Sequence, residues 1–119
     1  MELRILETTN QKIAEVISTG VVINDVRDAL DLMVNAGYED IGHIILYERH
    51  LNRDFFDLRT GLAGDILQKC VNYHMKLAIV GDFEKFGSNS LNALIVESNR
   101  GKQVFFVPDV ETAIVKLGG

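Results

Sequence analysis

The sequence predicts an α/β protein: a mostly parallel sheet with an N-terminal hairpin, its elements in the order β-β-α-β-α-β-α-β-α. Three observations carry that prediction. Short apolar runs stopped by glycine or proline, Leu77-Ala78-Ile79-Val80 before Gly81 and Val104-Phe105-Phe106-Val107 before Pro108, have the form of strands buried on both faces. The segments between such runs repeat their apolar residues at spacings of three and four, the period of an amphipathic helix. Strands alternating with helices require crossover connections and hence parallel pairing.

The elements follow in order. Leu3-Arg4-Ile5-Leu6 and Ile13-Ala14-Glu15-Val16-Ile17, separated by the polar Thr8-Thr9-Asn10-Gln11, predict the hairpin. Asn24 or Asp25 caps a first helix with Val26, Ala29, Leu30, Met33 and Val34 on its inner face, and Gly37 stops it. His43-Ile44-Ile45-Leu46-Tyr47 is the next strand, followed by a loop rich in charge: Glu48, Arg49, His50, Arg53 and Asp54. A central helix then runs to about Tyr73. If it began at Asp54, Arg59 would fall inside the apolar arc of Phe55, Leu58, Leu62, Ala63, Ile66, Leu67 and Cys70, where an unpaired charge is costly. The helix is therefore expected to start nearer Asp57, with Asp57 as its N-cap, Arg59 able to reach water, and Thr60 in the first turn. After the strand Lys76 to Gly81, Ser88 or Ser90 caps a helix that ends near Asn99, with Gly101 suited to a left-handed cap. Asp109 caps the last helix, whose inner face is Ala113, Ile114 and Leu117.

The totals narrow the function. A chain of 119 residues with no linker or internal repeat predicts one domain over 1–119. A formal charge of −5 with no basic cluster argues against sequence-independent nucleic-acid binding. The apolar runs fall far short of the roughly 20 residues that span a bilayer, and MELRIL lacks signal-peptide design, so no membrane insertion and a cytoplasmic location are expected. The single cysteine, Cys70, fits a reducing compartment, and its inward position makes it a small core residue rather than a nucleophile.

In a sheet of this kind ligands and partners sit outside the carboxyl ends of the strands, which selects residues 48–60, 81–89 and 107–110. Thr60 stands beside Arg59 at a helix start, an electrostatic seat for a phosphate. Gly61 and Gly64 fall away from the apolar arc and leave a surface that another backbone can approach. His50, Asp54 and Asp57 share one loop, the placement of an acid/base or metal site, yet no second His or Cys stands at ligand spacing. Asp82 after Gly81 and Asp109 after Pro108 repeat the carboxyl-end position, where capping and turn formation account for both. No Gly-x-Ser-x-Gly, Walker or dinucleotide pattern occurs. No catalytic residue, metal or cofactor is therefore assigned.

The element order, the helix start at Thr60-Gly61-Leu62, the strand Leu77 to Gly81 and the tail FFVPDVETAI resemble the STAS domains, that is, the anti-sigma-factor antagonists and the cytoplasmic domains of sulfate transporters. The likeness covers roughly residues 10 to 117. In the bacterial antagonists a Ser or Thr just before such a Gly-Leu is phosphorylated by a partner kinase, and its state selects the partner bound. Thr60 is the matching residue. Where the antagonists show Asp-Ser-Ser/Thr-Gly, Leu58 and Arg59 here separate Asp57 from Thr60. The string FFDLRTGLAGDILQKCVNYHMKLAIVGDF is similar, more closely and over nearly the whole chain, to small bacterial proteins catalogued only as a domain of unknown function.

The resemblance implies a non-enzymatic regulatory or protein-interaction domain, with a kinase or regulator as partner. Its phosphoacceptor would be Thr60, and its surface would include His50, Asp54, Asp57, Arg59, Gly61, Gly64 and Asp82. The alternatives are a small-ligand or lipid-binding domain of the same fold and an enzyme using His50, Asp54 or Asp57. Composition permits a homodimer.

Overall fold

The computed structural model describes residues 1–118. Its elements are β1 (Glu2–Glu7), β2 (Lys12–Ile17), α1 (Val26–Tyr38), β3 (His43–Tyr47), α2 (Leu62–Asn72), β4 (Lys76–Val80), α3 (Asn89–Arg100), β5 (Val104–Val107) and α4 (Val110–Gly118). Short 3₁₀ turns at Glu48–His50, Arg53–Phe56, Leu58–Thr60 and Glu84–Phe86 interrupt that series. The class is α/β, with a mixed five-stranded sheet and four α-helices among the described residues.

The sheet is wound in sequence order, β1-β2-β3-β4-β5. β1 and β2 form the antiparallel hairpin, in register from Glu2 opposite Ile17 to Glu7 opposite Lys12, and the other three pairings are parallel. Side chains alternate across a strand, so every strand feeds two cores. Ala14, Val16, Ile44, Leu46, Leu77, Ile79, Val104 and Phe106 face α1, α2 and α3. Ile13, Ile45, Ala78, Val80, Phe105 and Val107 face α4, which supplies Ala113 and Leu117. This two-sided burial is why β4 and β5 are continuously apolar in sequence.

Caps set the helix limits. Asp25 accepts from the Asp28 N–H, Ser88 from Leu91 and Asp109 from Thr112. Four expectations fail. Val34 is exposed, because the inner face of α1 is Ala29, Leu32, Met33 and Ala36, and the helix continues past Gly37 to Tyr38, with Glu39 as its C-cap. Gly101 is not left-handed (φ −84°), and the α3 terminus closes instead through the Gly101 N–H to Ser98 carbonyl bond. The central helix does not begin at Asp57: α2 begins at Leu62, with Gly61 as its N-cap in the left-handed region (φ +80°). Asp57 caps the preceding 3₁₀ turn, accepting from the Arg59 N–H at 3.2 Å. The break follows from Gly61, whose backbone turns the chain through a conformation that side-chain-bearing residues rarely adopt.

Candidate functional site

The parallel strands end on one side of the molecule, and two adjoining grooves open there. The first, about 480 Å³, lies between the Arg53–Arg59 segment and residues Phe86 to Ser90. The second, about 550 Å³, runs from Tyr47 and Arg49 across Arg53 to Gly81 and Lys85. Arg53, Phe56 and Phe86 line both. The loops at 48–60 and 81–89 thus meet as expected, while Asp109 in the third loop serves as the α4 cap.

An aromatic cluster builds the wall between the grooves. Phe106 of β5 meets Phe83 edge-on at 5.2 Å, Phe83 meets Phe56 at 5.9 Å, and Phe56 stacks on Phe86 at 4.5 Å with the rings 13° apart. Phe55 joins the same cluster, so five of the six phenylalanines lie in it. Such contacts add about 0.5–1.5 kcal/mol per pair beyond burial, which holds two otherwise irregular loops against the sheet. Phe83 and Phe86 are three residues apart, and the 3₁₀ turn Glu84–Phe86 brings them to one side. That spacing was the available sequence signal for a structured 81–89 loop.

Charge is uneven at this end. The grooves are lined by Arg49, Arg53, Arg59 and Lys85, four of the twelve basic residues, but by only Glu48 and Asp57 of the seventeen acids. Both acids are paired. Glu48 binds Lys85 at 2.8 Å. Asp57 takes a two-point contact from Arg59, Nε and one terminal nitrogen each at 2.9 Å, and these hydrogen bonds hold its carboxyl below the usual carboxylate range. Glu48 also accepts from the Asp82 N–H at 3.2 Å, and Asp82 in turn accepts from Glu84, the turn role expected of it.

Thr60 is exposed and locally engaged. Its hydroxyl donates toward the Asp54 carbonyl at 2.7 Å and the Asp57 carbonyl at 2.9 Å, and accepts from the Leu62 N–H at 3.3 Å. One hydroxyl therefore ties the 54–57 backbone to the start of α2. Asp54 contributes its carbonyl here, while its side chain is exposed. Gly61 and Gly64 are exposed, and a Cβ at either would meet nothing within 4 Å.

His50 is not a surface residue. Its side chain is fully buried, Nδ1 accepts from the Tyr47 N–H at 3.1 Å, and Nε2 donates to the Ser18 carbonyl at 2.9 Å. Because those partners have fixed roles, the ring must be the neutral Nε2–H tautomer. Burial, with a smaller push from Arg49, lowers its pKa against the opposing effects of the Ser18 carbonyl and Glu15. Its own carbonyl accepts from the Val22 and Ile23 N–H groups. His50 joins the 18–23 segment to the end of β3 and does not converge with Asp54 or Asp57, so the three do not form an acid/base or metal constellation. Among the described residues no group of three His, Cys, Asp or Glu side chains is placed to hold a metal.

The protein-family model described as "Domain of unknown function (DUF4180)" matches residues 8–117. The chain belongs to this family. No curated protein and no solved structure matches it.

In this member of the family two features outside the expected set stand out. Tyr47 donates to Glu15 at 2.5 Å across β3 and β2, and burial, with that bond, pushes the phenol up to about 12. Glu15 is itself buried and also faces Arg4 at 3.6 Å. Neither residue carried a motif; Glu15 stands opposite Ile45, and Tyr47, two residues further along β3 on the same face, reaches it diagonally. Cys70 is buried, and its thiol is pushed up to about 12 by desolvation, as a core position requires. Among the described residues no helix is long and apolar enough to cross a membrane.

Proposed function

We propose that this is a non-enzymatic, STAS-like regulatory domain that binds a protein partner at the carboxyl end of its parallel strands, with phosphorylation of Thr60 as the switch. The observation that carries the reading is the Thr60 hydroxyl. Its hydrogen bonds close the 54–60 segment, and that segment lines the first groove.

Transfer of the γ-phosphoryl group of a nucleoside triphosphate by a partner kinase forms the Oγ1–P bond, breaks the bridging O–Pγ bond so that the nucleoside diphosphate leaves, and passes the hydroxyl proton to a base of the kinase. The esterified oxygen has no hydrogen to donate. The new negative charge stands beside two carbonyl oxygens, while Arg59, the next residue along the chain, is already held by Asp57. Repulsion opens the segment and changes the groove. Three features support the STAS-like assignment: the alternating order of strands and helices, the Thr60-Gly61-Leu62 start of α2, and exposed Gly61 and Gly64 beside it.

Affinity capture from native lysate with wild type, Thr60→Val and Thr60→Glu as baits, read by mass spectrometry, tests this. The expected result is a partner held by wild type, weakened by Thr60→Val and lost with Thr60→Glu, together with an intact mass that shows phosphorylated Thr60 in some growth phases. Identical captures from all three baits, or Thr60 unmodified in every phase, would remove the switch.

A further inference from the structure

Overall the chain is acidic, at −5, yet the groove between the 47–53 segment and the 80–86 loop carries Arg49, Arg53 and Lys85 against one acid, Glu48, which Lys85 already neutralises. Arg49 and Arg53 have no carboxylate within ion-pair distance among the described residues. Each lies on an aromatic ring instead: Arg49 over Tyr47 at 4.5 Å and Arg53 over Phe86 at 5.4 Å. Arg49 directs Nε to the Ser18 carbonyl at 3.4 Å, which leaves its terminal amino groups without a described protein acceptor. Ring contact restricts a guanidinium while leaving its in-plane donors open, and those donors match a carboxylate or phosphate in a two-point contact. The groove's volume, about 550 Å³, lies within the range of small-molecule sites. Val21, Leu51, Val80 and Phe86 give it an apolar lining.

We infer that this groove binds a small organic anion, one that joins an oxyanion group, carboxylate or phosphate, to a flat apolar part. The oxyanion meets Arg49 and Arg53, and the apolar part lies along the lining formed by Val21, Leu51, Val80 and the edge of Phe86. Gly81 belongs to the same design, since a Cβ there would stand 2.9 Å from Glu48 Cβ and Cγ and displace the acid that holds Lys85. The inference rests on the reading that the strand carboxyl ends are the working surface; it names a ligand chemistry there.

The test is titration of the ¹⁵N-labelled full chain with phenyl phosphate, phenylacetate, inorganic phosphate and phenol as separate arms. Arginine Nε–H and backbone signals report binding. Saturable shifts are expected at Arg49, Arg53 and residues 81–86 with one or both ring-bearing anions, and the stronger of the two identifies the oxyanion. Inorganic phosphate and phenol should each bind about tenfold more weakly or worse, because each offers half of the contact. Arg53→Gln, checked for folding by circular dichroism, should weaken the better anion about tenfold. Lys102→Gln, at the opposite end of the strands, carries the same charge change and should alter binding by less than about twofold. No saturation by about 10 mM of either ring-bearing anion, unchanged affinity in Arg53→Gln, or equal weakening in Lys102→Gln would overturn the inference. Failure here with a partner still lost from the Thr60→Glu bait leaves the regulatory reading standing; saturation here with identical captures leaves the anion site and removes the switch.

Discussion

Replacing His50 by Ala tests whether this histidine is a structural link rather than a site residue. The substitution strands one backbone group, the Tyr47 N–H, and leaves the Ser18 carbonyl, the other partner of the imidazole, with only the 3.4 Å bond from Arg49 Nε. An orphaned buried group costs about 1–3 kcal/mol, and the vacated ring space in a fully buried position adds about 1–2 kcal/mol. The expected loss is about 2–5 kcal/mol, a large part of the roughly 5–15 kcal/mol by which domains are stable. Urea unfolding followed by far-ultraviolet circular dichroism should show the midpoint lowered by about 2 M, given a slope of about 1–3 kcal/mol/M. His50→Asn, whose amide can both accept and donate, should recover part of the loss.

The same residue sets an acid limit. Its folded pKa is lowered, so below the unfolded value of 6.5 the unfolded chain binds a proton that the folded chain refuses. The His50 contribution is thus complete above about pH 6.5 and declines as the pH falls toward the folded value. His43, lowered by burial and then by Lys76, acts in the same direction, so His50→Asn should flatten the acid slope without abolishing it. A His50→Ala midpoint corresponding to less than about 0.5 kcal/mol of loss, the ordinary surface value, would refute the account.

Three other outcomes are expected. Gly61→Ala and Gly64→Ala meet equally open space, but Gly61 is left-handed and Gly64 lies within α2. The first should cost about 1–2 kcal/mol and the second should gain about 0.5–1 kcal/mol, a difference of sign that urea unfolding of both variants resolves. Gly81→Ala should displace Glu48 and release Lys85, seen as a shifted Lys85 ammonium signal by nuclear magnetic resonance. Cys70, with its thiol pushed up to about 12, should resist iodoacetamide at pH 8 in the folded protein and react on unfolding in urea, as mass spectrometry would show.

The strands were legible because burial on both faces writes itself as uninterrupted apolar sequence: Leu77 to Val80 and Val104 to Val107 fall in β4 and β5. The start of α2 was not, because Phe55, Leu58, Leu62 and Ile66 keep spacings of three and four straight through the 3₁₀ turns. Periodicity cannot distinguish a continuous helix from two turns and a glycine break with their apolar residues on one side. Arg59 was placed correctly toward water, being 90% exposed, since only the cost of burying charge was needed to see it. His50 was hidden by its neighbours. Glu48, Arg49 and Arg53 mark a solvated loop, and nothing in the order of residues says that the imidazole turns inward to Ser18, 32 positions away. The grooves rest on similar long-range facts, namely Phe56 meeting Phe86 and Glu48 meeting Lys85.

The nine-residue α4 covers the second face of the sheet, and the Gln11 side chain reaches its Leu117 carbonyl at 2.6 Å across 106 positions. Biosynthesis makes this helix after everything it covers. A nascent chain that has reached Val107 holds all five strands and the helices of the first face, while Ile45, Ala78, Val80, Phe105 and Val107 stand open on the other. Such a chain has its topology but not its solubility, the state in which intermediates self-associate or are held by chaperones. A message cut short before Val110 would therefore yield aggregate rather than a smaller working domain, and emergence of α4 is the step that releases the protein from that hazard.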